Sequence, residues 1–214
     1  MAGKCIIIGA GDLTVGQLEV EEGDLCIAVD GGLSYCPVLG VEPDIILGDF
    51  DSVNDREREA IGVLAEQIPE RVVALPVEKD DTDMLAAIKY GLEHGFKDFR
   101  IYAGMGGRFD HSLANVQCLL YLKNHDATGY LVDGGSMILV LKDESVEFQE
   151  DMEGLLSLFA LGKEAKGVTI RGMKYPLNNA AITNDFPIGI SNEFIGEKAY
   201  IAVEDGEVVC IVQY

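Results

Sequence analysis

Repeatedly in the first 110 residues, a short run of apolar side chains ends abruptly in glycine or aspartate, and no other feature of the chain restricts its fold as much. Cys5-Ile6-Ile7-Ile8 stops at Gly9-Ala10-Gly11, Leu25-Cys26-Ile27-Ala28-Val29 at Asp30-Gly31-Gly32, and Ile45-Ile46-Leu47 at Gly48-Asp49-Phe50-Asp51-Ser52. Runs of this length without alternation are what a strand buried on both faces requires, and such strands belong to parallel sheets covered by helices. Between them lie stretches with helical periodicity. Residues 54–67 place Ile61, Leu64 and Ile68 on one face, residues 84–93 place Leu85, Ile88 and Leu92, and residues 113–122 follow the strand at 99–103. Residues 33–39 read as a short helix closed by Gly40, and 72–75 as a further strand. Strand and helix alternate until about residue 133. Beyond it come short strands separated by turn residues, and Asp205-Gly206 reads as a hairpin between 202–203 and 208–212. The expected architecture is an amino-terminal three-layer α/β domain with a mostly parallel sheet (1–134) and a carboxyl-terminal all-β sandwich domain (135–214).

The ends of the strands carry the chemistry. If the backbone stays extended after Leu47, Asp49 and Asp51 point to one side and Phe50 to the other. Two carboxylates about 4 Å apart repel by roughly 4 kcal/mol at an effective dielectric near 20, so the pair calls for a cation or a shifted pKa. All-oxygen ligation with few protein ligands suits Mg²⁺, which keeps places for waters and substrate phosphates. The plain alternative is that both are turn residues at a strand end. A second acidic cluster, Lys79-Asp80-Asp81-Thr82-Asp83, precedes the helix at 84–93. Here the plain reading makes Asp80 an N-cap and Asp83 a favourable charge in the first turn. A helix start beyond a strand's carboxyl end is also where open α/β sheets bind ligands, so the two roles are compatible.

Gly104-Met105-Gly106-Gly107-Arg108-Phe109-Asp110-His111-Ser112 joins a strand to a helix. Backbone N–H groups at such a junction attract anions, and Arg108 can add a bidentate phosphate contact; the plain alternative is an ordinary βα turn. Neither a Walker phosphate loop nor a dinucleotide fingerprint is present; Thr14 stands where the third glycine of the latter would be. Glycines at 31 and 32 permit a ligand to approach the backbone, or simply a tight turn. His94 and His125 fall at helix ends, where they partner the dipole, which leaves His111 as the one histidine at the site.

With 16 basic and 37 acidic residues, the net charge of −21 leaves no basic face for nucleic acid. A polyanionic substrate would have to be met by metal ions and a few local Lys or Arg. The cysteines, Cys5, Cys26, Cys36, Cys118 and Cys210, are scattered and odd in number, as buried thiols in a reducing, cytoplasmic setting would be. The amino terminus reads as a strand rather than a leader, and no apolar run approaches the ~18 residues of a membrane span.

Taken together and in order, Asp30-Gly31-Gly32, Pro43-Asp44 leading to Gly48-Asp49-Phe50-Asp51-Ser52, Asp80-x-Thr82-Asp83 and Gly106-Gly107-Arg108-Phe109-Asp110-His111 closely resemble the thiamine pyrophosphokinase family. The resemblance continues through Ser157-Leu158-Phe159, Gly172-Met173-Lys174-Tyr175-Pro176-Leu177 and Ser191-Asn192-Glu193-Phe194, and so covers nearly the whole chain. It implies transfer of the diphosphoryl group of ATP to the hydroxyl of thiamine, giving thiamine diphosphate and AMP. It also implies a homodimer whose active sites lie between the α/β domain of one subunit and the β domain of the other. Carried onto this sequence, it assigns Mg²⁺ to Asp49, Asp51 and Asp83, with Asp80 as a further ligand or a base orienting the hydroxyl. Gly106, Gly107, Arg108 and Lys79 would hold phosphates, and Asp30, Gly31, Gly32, Thr82, Asp110 and His111 would line the nucleotide site. Ser191 and Asn192 would bind the pyrimidine of thiamine, with Tyr175 against its rings. Two departures stand out: Lys79 replaces the Gln of some members, and Tyr175 replaces the Trp of many, in a chain that has no Trp. Without the resemblance, an Asp-x-Asp at a strand end also fits a phosphatase nucleophile, a metal-dependent nucleotide-sugar transferase or a non-catalytic nucleotide sensor.

Overall fold

The computed structural model describes residues 3–50, 53, 55–76, 78 and 80–214. In the first half, β1 (Cys5–Ile8) and β2 (Leu25–Val29) are followed by a 3-10 turn at Asp30–Tyr35 that runs into α1 (Cys36–Leu39), which Gly40 closes at φ 71°. Then come β3 (Ile45–Gly48), α2 (Asp55–Gln67), β4 (Val72–Ala74), α3 (Asp83–Glu93), β5 (Asp98–Tyr102), α4 (Phe109–Lys123) and β6 (Thr128–Val132). The strands lie in the order β6-β5-β1-β2-β3-β4, all parallel.

The unalternating apolar runs are explained by burial on both faces. Cys5, Ile7, Ile27, Leu47, Phe99 and Ile101 pack against Met84, Ala87 and Ile88 of α3 and Leu119 and Leu122 of α4. Ile6, Ile8, Cys26 and Ala28 face the other way, onto Cys36 and Leu39, while Ile46 meets Phe50, Val53 and Ile61. Each fully buried Ile or Leu contributes about 1.5–3 kcal/mol. Because the chain runs outward from β1 to β4 and then returns to place β5 on the opposite side of β1, the strand order reverses at β1. The crevice at the carboxyl ends of β1, β2 and β5 is therefore the expected place for a ligand.

Two helix starts differ from the sequence expectation. Helix α3 is capped by Thr82, whose Oγ1 accepts the Leu85 N–H at 3.2 Å, and not by Asp80, which is exposed two residues earlier. Thr82 has the extended geometry (φ −70°, ψ 156°) that an N-cap needs immediately before the first helical residue. Helix α4 begins at Phe109, so that Asp110 and His111 sit in its first turn rather than in a loop. Apolar periodicity hides this start because Phe109 faces solvent, 79% exposed. His94 and His125 behave as expected: each stacks on the tyrosine one turn back, and its Nδ1 lies 2.7 or 2.8 Å from that tyrosine's carbonyl.

The second half contains β7 (Ser136–Lys142), β8 (Ser145–Phe148), β9 (Leu155–Ala160), β10 (Glu164–Arg171), β11 (Leu177–Thr183), β12 (Asn192–Glu193), β13 (Ala199–Ala202) and β14 (Glu207–Gln213). Strand β7 pairs antiparallel with β6, and the sheet continues through β14, β9 and β12, so that among the described residues ten strands share one sheet. A four-stranded antiparallel sheet, β11-β10-β13-β8, covers one face of this extension. Leu139, Leu141, Val208, Cys210 and Val212 fill the sandwich, whereas Ile138, Val140 and Val209 point the other way into the core under α4. The hairpin expected at Asp205-Gly206 does not form. Strand β13 pairs with β10 and β8, β14 pairs with β7 and β9, and the turn carries the chain from one sheet to the other.

All five cysteines are buried free thiols, and burial raises them, Cys36 and Cys118 to about 11. Among the described residues no helix is long and apolar enough to cross a membrane.

Candidate active site

Three aspartates from different strand ends meet at the crevice. Asp30 follows β2, Asp49 follows β3 and Asp83 is the first residue of α3; one carboxylate oxygen from each lies within 4.8 Å of the others. All are partly buried. Asp30 is pushed up to about 7, first by burial, then by the Asp83 charge and hydrogen bond, and against the Phe50 N–H that it accepts at 3.2 Å. A carboxyl group raised to near neutrality by burial and by a neighbouring carboxylate marks a candidate functional site. Three oxygen donors on a partly buried floor suit a hard divalent cation.

The local backbone explains how the acids converge. The chain does not stay extended past Asp49: Phe50 has φ 59°, and its ring turns down onto Ile46, Val53 and Ile61. Asp30 (φ 46°) and Ala103 (φ 48°), each immediately after a strand, are also in the left-handed region, where non-glycine residues are uncommon and concentrate at functional sites. Gly48 is needed for a different reason. A Cβ there would lie 1.9 Å from Asp30 Oδ1, so the carboxylate packs directly on the glycine backbone. Gly32 packs in the same way under the end of β1, where a Cβ would come within 2.2 Å of the Ile8 carbonyl.

The cleft in front of these acids has a volume of about 600 Å³ and is lined by the 9–12 loop, Asp30, Tyr35, Thr82, Asp83, the loop ahead of α4 and the first turns of that helix. The two loops are laced together. The Gly11 N–H donates to the Ala103 carbonyl and the Asp12 N–H to the Met105 carbonyl, both at 2.7 Å, and the Tyr35 hydroxyl donates to the Gly11 carbonyl at 2.8 Å. Arg108 stands at the rim, mostly exposed, with its guanidinium on the Asp110 carboxylate at 2.6 and 3.2 Å; this pairing holds the Asp110 carboxyl below its usual range. Both groups keep enough exposure for an incoming phosphate to compete with Asp110 for the arginine.

Of the residues singled out in the sequence, Asp30, Thr82, Asp83, Gly106, Gly107, Arg108, Asp110 and His111 line the cleft, and Asp49 joins its acidic floor. Asp30, expected to line the nucleotide site, stands among the clustered carboxylates. Gly31 lies outside the lining, its carbonyl accepting from Ser34 Oγ at 2.7 Å, and Asp80 is exposed outside the lining. Asp51 and Lys79 lie outside the described residues. Sequence reading missed Asp12, Tyr35 and Asn115. A signal existed for the last: Asn115 occupies the buried stripe that Cys118, Leu119 and Leu122 continue at helical spacing, a polar group where an apolar one is expected.

In the β half, Asn192 is 5% exposed and its amide is committed to the protein. Its Oδ1 accepts the Tyr175 and Glu193 N–H groups at 2.9 Å, and its Nδ2 donates to the Tyr175 carbonyl at 2.8 Å. The Tyr175 ring is exposed, with Lys174 Nζ 5.8 Å from its centroid. Ser191 is also exposed; it takes φ 58° and donates its N–H to Ser157 Oγ at 3.0 Å. Among the described residues the lining of the cleft ends at Asn115, so Tyr175, Ser191 and Asn192 are not part of it within one chain.

This geometry can be set beside known proteins. The family model "Thiamin pyrophosphokinase, catalytic domain" matches residues 17–131, and "Thiamin pyrophosphokinase, vitamin B1 binding domain" matches 143–208. Thiamine pyrophosphokinase of Bacillus subtilis (strain 168) is 30% identical over 192 residues, 89% of this chain and 88% of that protein. A crystal structure of thiamine pyrophosphokinase from Bacillus subtilis superposes with a TM-score of 0.85 at 27% identity, covering 98% of both chains. One from Geobacillus thermodenitrificans gives 0.80 at 26%, covering 99% of this chain and 97% of that one. The yeast enzyme, 14% identical with a TM-score of 0.74, covering 100% of this chain and 87% of its own, shares the fold. Both halves match in order and over nearly their full length, and the chain belongs to the thiamine pyrophosphokinase family.

Proposed function

We infer that the cleft at the carboxyl ends of β1, β2 and β5 is where this chain, a thiamine diphosphokinase, moves the diphosphoryl group of ATP onto the hydroxyl of thiamine. The observation that carries the reading is the meeting of Asp30, Asp49 and Asp83 across from a glycine loop and a helix amino terminus, within one cleft. The hydroxyethyl oxygen of thiamine attacks the β-phosphorus, the bond to the α,β-bridging oxygen breaks, and AMP leaves with that oxygen while the hydroxyl proton passes to a base. Such transfers ask the protein for positioning and charge neutralisation above all.

Asp30, Asp49 and Asp83, with Asp51 beside them in sequence, would hold a magnesium ion, which when bound neutralises charge on the phosphates and the departing AMP. Gly106, Gly107 and the amino terminus of α4 offer N–H groups to phosphate oxygens, and Arg108 exchanges Asp110 for phosphate. By the family resemblance, Lys79 would be a second cation for the phosphates. Asp80, exposed just ahead of α3 and outside the lining of the cleft in its own chain, would serve as a further ligand or orient the hydroxyl of thiamine. Tyr175 and Ser191 receive the thiamine, whose thiazolium cation favours an aromatic face. Asn192 frames Tyr175 through its backbone.

The α/β part (1–134) supplies the ATP site and the β part (135–214) the thiamine site. Since the thiamine candidates stand away from the cleft of their own chain, a second copy completes it, and the working form is a homodimer. Exposed Phe186, Ile188 and Ile190 next to Ser191, and Phe109 and Leu113 next to the cleft, give the two copies apolar groups to bring together. The free thiols fit a cytoplasmic setting.

Incubating the protein with ATP, Mg²⁺ and thiamine tests the reading. AMP and thiamine diphosphate should appear in equal amounts; ADP or free phosphate with no thiamine diphosphate would overturn it.

A further inference from the structure

The loop joining β5 to α4 takes an unusual path: Ala103, Gly106 and Gly107 all have positive φ, at 48°, 85° and 59°. Three consecutive carbonyls of this loop are each held by a donor from outside it. Ala103 accepts from the Gly11 N–H, Met105 from the Asp12 N–H and Gly104 from Asn115 Nδ2, all at 2.7 Å. Two of these donors are backbone groups that any sequence would supply. The third is a side chain, 8% exposed, set among Cys118, Leu119 and Leu122 on the buried stripe of α4. A leucine there would serve packing better, because a buried amide is costly unless its hydrogen bonds are made. What the asparagine supplies is a fixed point for the Gly104 carbonyl, just ahead of Gly106, Gly107 and Arg108.

We propose that Asn115 is a positioning residue for the phosphate-holding loop: its amide fixes the Gly104 carbonyl, so that the loop's N–H groups are set before ATP arrives. The inference rests on the reading above that this loop holds phosphates. A preset loop need not be ordered at binding, and the saving appears as affinity for the phosphate chain alone.

The test compares Asn115→Ala and Asn115→Leu, the second filling nearly the same space with no donor for the carbonyl and no added charge, with Arg108→Gln. For both Asn115 variants, KM for ATP should rise about tenfold, and inorganic triphosphate should bind about tenfold more weakly by titration calorimetry. KM for thiamine and binding of adenosine should stay as in the parent. If the alanine variant does not fold, the leucine variant carries the test. Should Arg108→Gln weaken ATP while the Asn115 variants do not, the positioning role is wrong. Should Arg108→Gln and the Asn115 variants all leave ATP untouched, the phosphate reading of the loop falls instead. Equal loss for ATP, adenosine and thiamine, with a lowered melting temperature, would reduce Asn115 to a structural residue and overturn the proposal.

Discussion

Replacing Asp30 by asparagine should make the metal-free protein more stable and the enzyme much less active, and the gain in stability should depend on pH. Oxygens of Asp30, Asp49 and Asp83 lie within 4.8 Å of one another. At that separation each like-charge pair repels by about 1 kcal/mol in bulk water and about 3 kcal/mol at an effective dielectric of 20. Burial first, and this repulsion from Asp83 second, raise the Asp30 carboxyl from its ordinary 3.8 to about 7. Folding with a raised acid favours the protonated form. Its contribution is therefore complete below the unfolded pKa near 4 and is lost as pH climbs through about 7, with nothing further lost above that. The full shift corresponds to about 4 kcal/mol, and with the group only partly buried solvent screening leaves about 1–2 kcal/mol. The substituted asparagine escapes this loss, while its Oδ1 can still accept the Phe50 N–H and its shape still fits over Gly48.

In a chain of this size that gain is about 4 °C in melting temperature. Scanning calorimetry in chelator at pH 4.5 and pH 8 should show the variant level with the parent at the lower pH and clearly above it at the higher. With Mg²⁺ and substrates, turnover should fall by orders of magnitude. A melting temperature no higher than the parent's at pH 8, or the same offset at both pH values, would refute the claim that burial beside like-charged neighbours raises Asp30.

Gly48→Ala should cut turnover about 100-fold, because its Cβ would lie 1.9 Å from Asp30 Oδ1 and displace the carboxylate; overpacking should cost only about 1–3 kcal/mol by chemical denaturation. Tyr175→Ala should raise KM for thiamine roughly five- to tenfold through loss of a cation–aromatic contact, whereas Tyr175→Trp should keep or lower it, both read by steady-state kinetics. Asn192→Ala leaves the Tyr175 N–H and carbonyl without their side-chain partner and should raise KM for thiamine about tenfold with KM for ATP unchanged.

The legible part of the fold was the part with local rules. Ile6 to Ile8 and Cys26 to Ala28 are apolar without alternation because helices cover both faces of their strands, and a reader of the chain can infer that condition directly. Thr82 and Phe109 show where local rules ran out. Several acids near residue 80 can cap a helix, and only the backbone geometry selects the threonine. An exposed Phe109 breaks the pattern by which a helix start is recognised. Asp205-Gly206 is a sound turn signal that says nothing about which strands lie beside the two it joins. The same limit applied at the site. Asp49 and Asp83 were legible as acids at a strand end and a helix start, but an extended backbone was assumed through Phe50, which in fact turns left-handed.

Sequence alone therefore determined the inventory: which runs are buried strands, where glycines and acids end them, and, through the order of its motifs, the family. The resemblance already grouped Asp49 with Asp83, and tertiary structure decided that Asp30 joins them and how close the three lie. Asp30, Asp49 and Asp83 are far apart along the chain, and their spacing follows from β2 and β3 being neighbours in the sheet and α3 packing over them. Dihedral preference and burial periodicity act over a few residues, whereas the distance between those carboxylates depends on strand order, which no short stretch of chain contains.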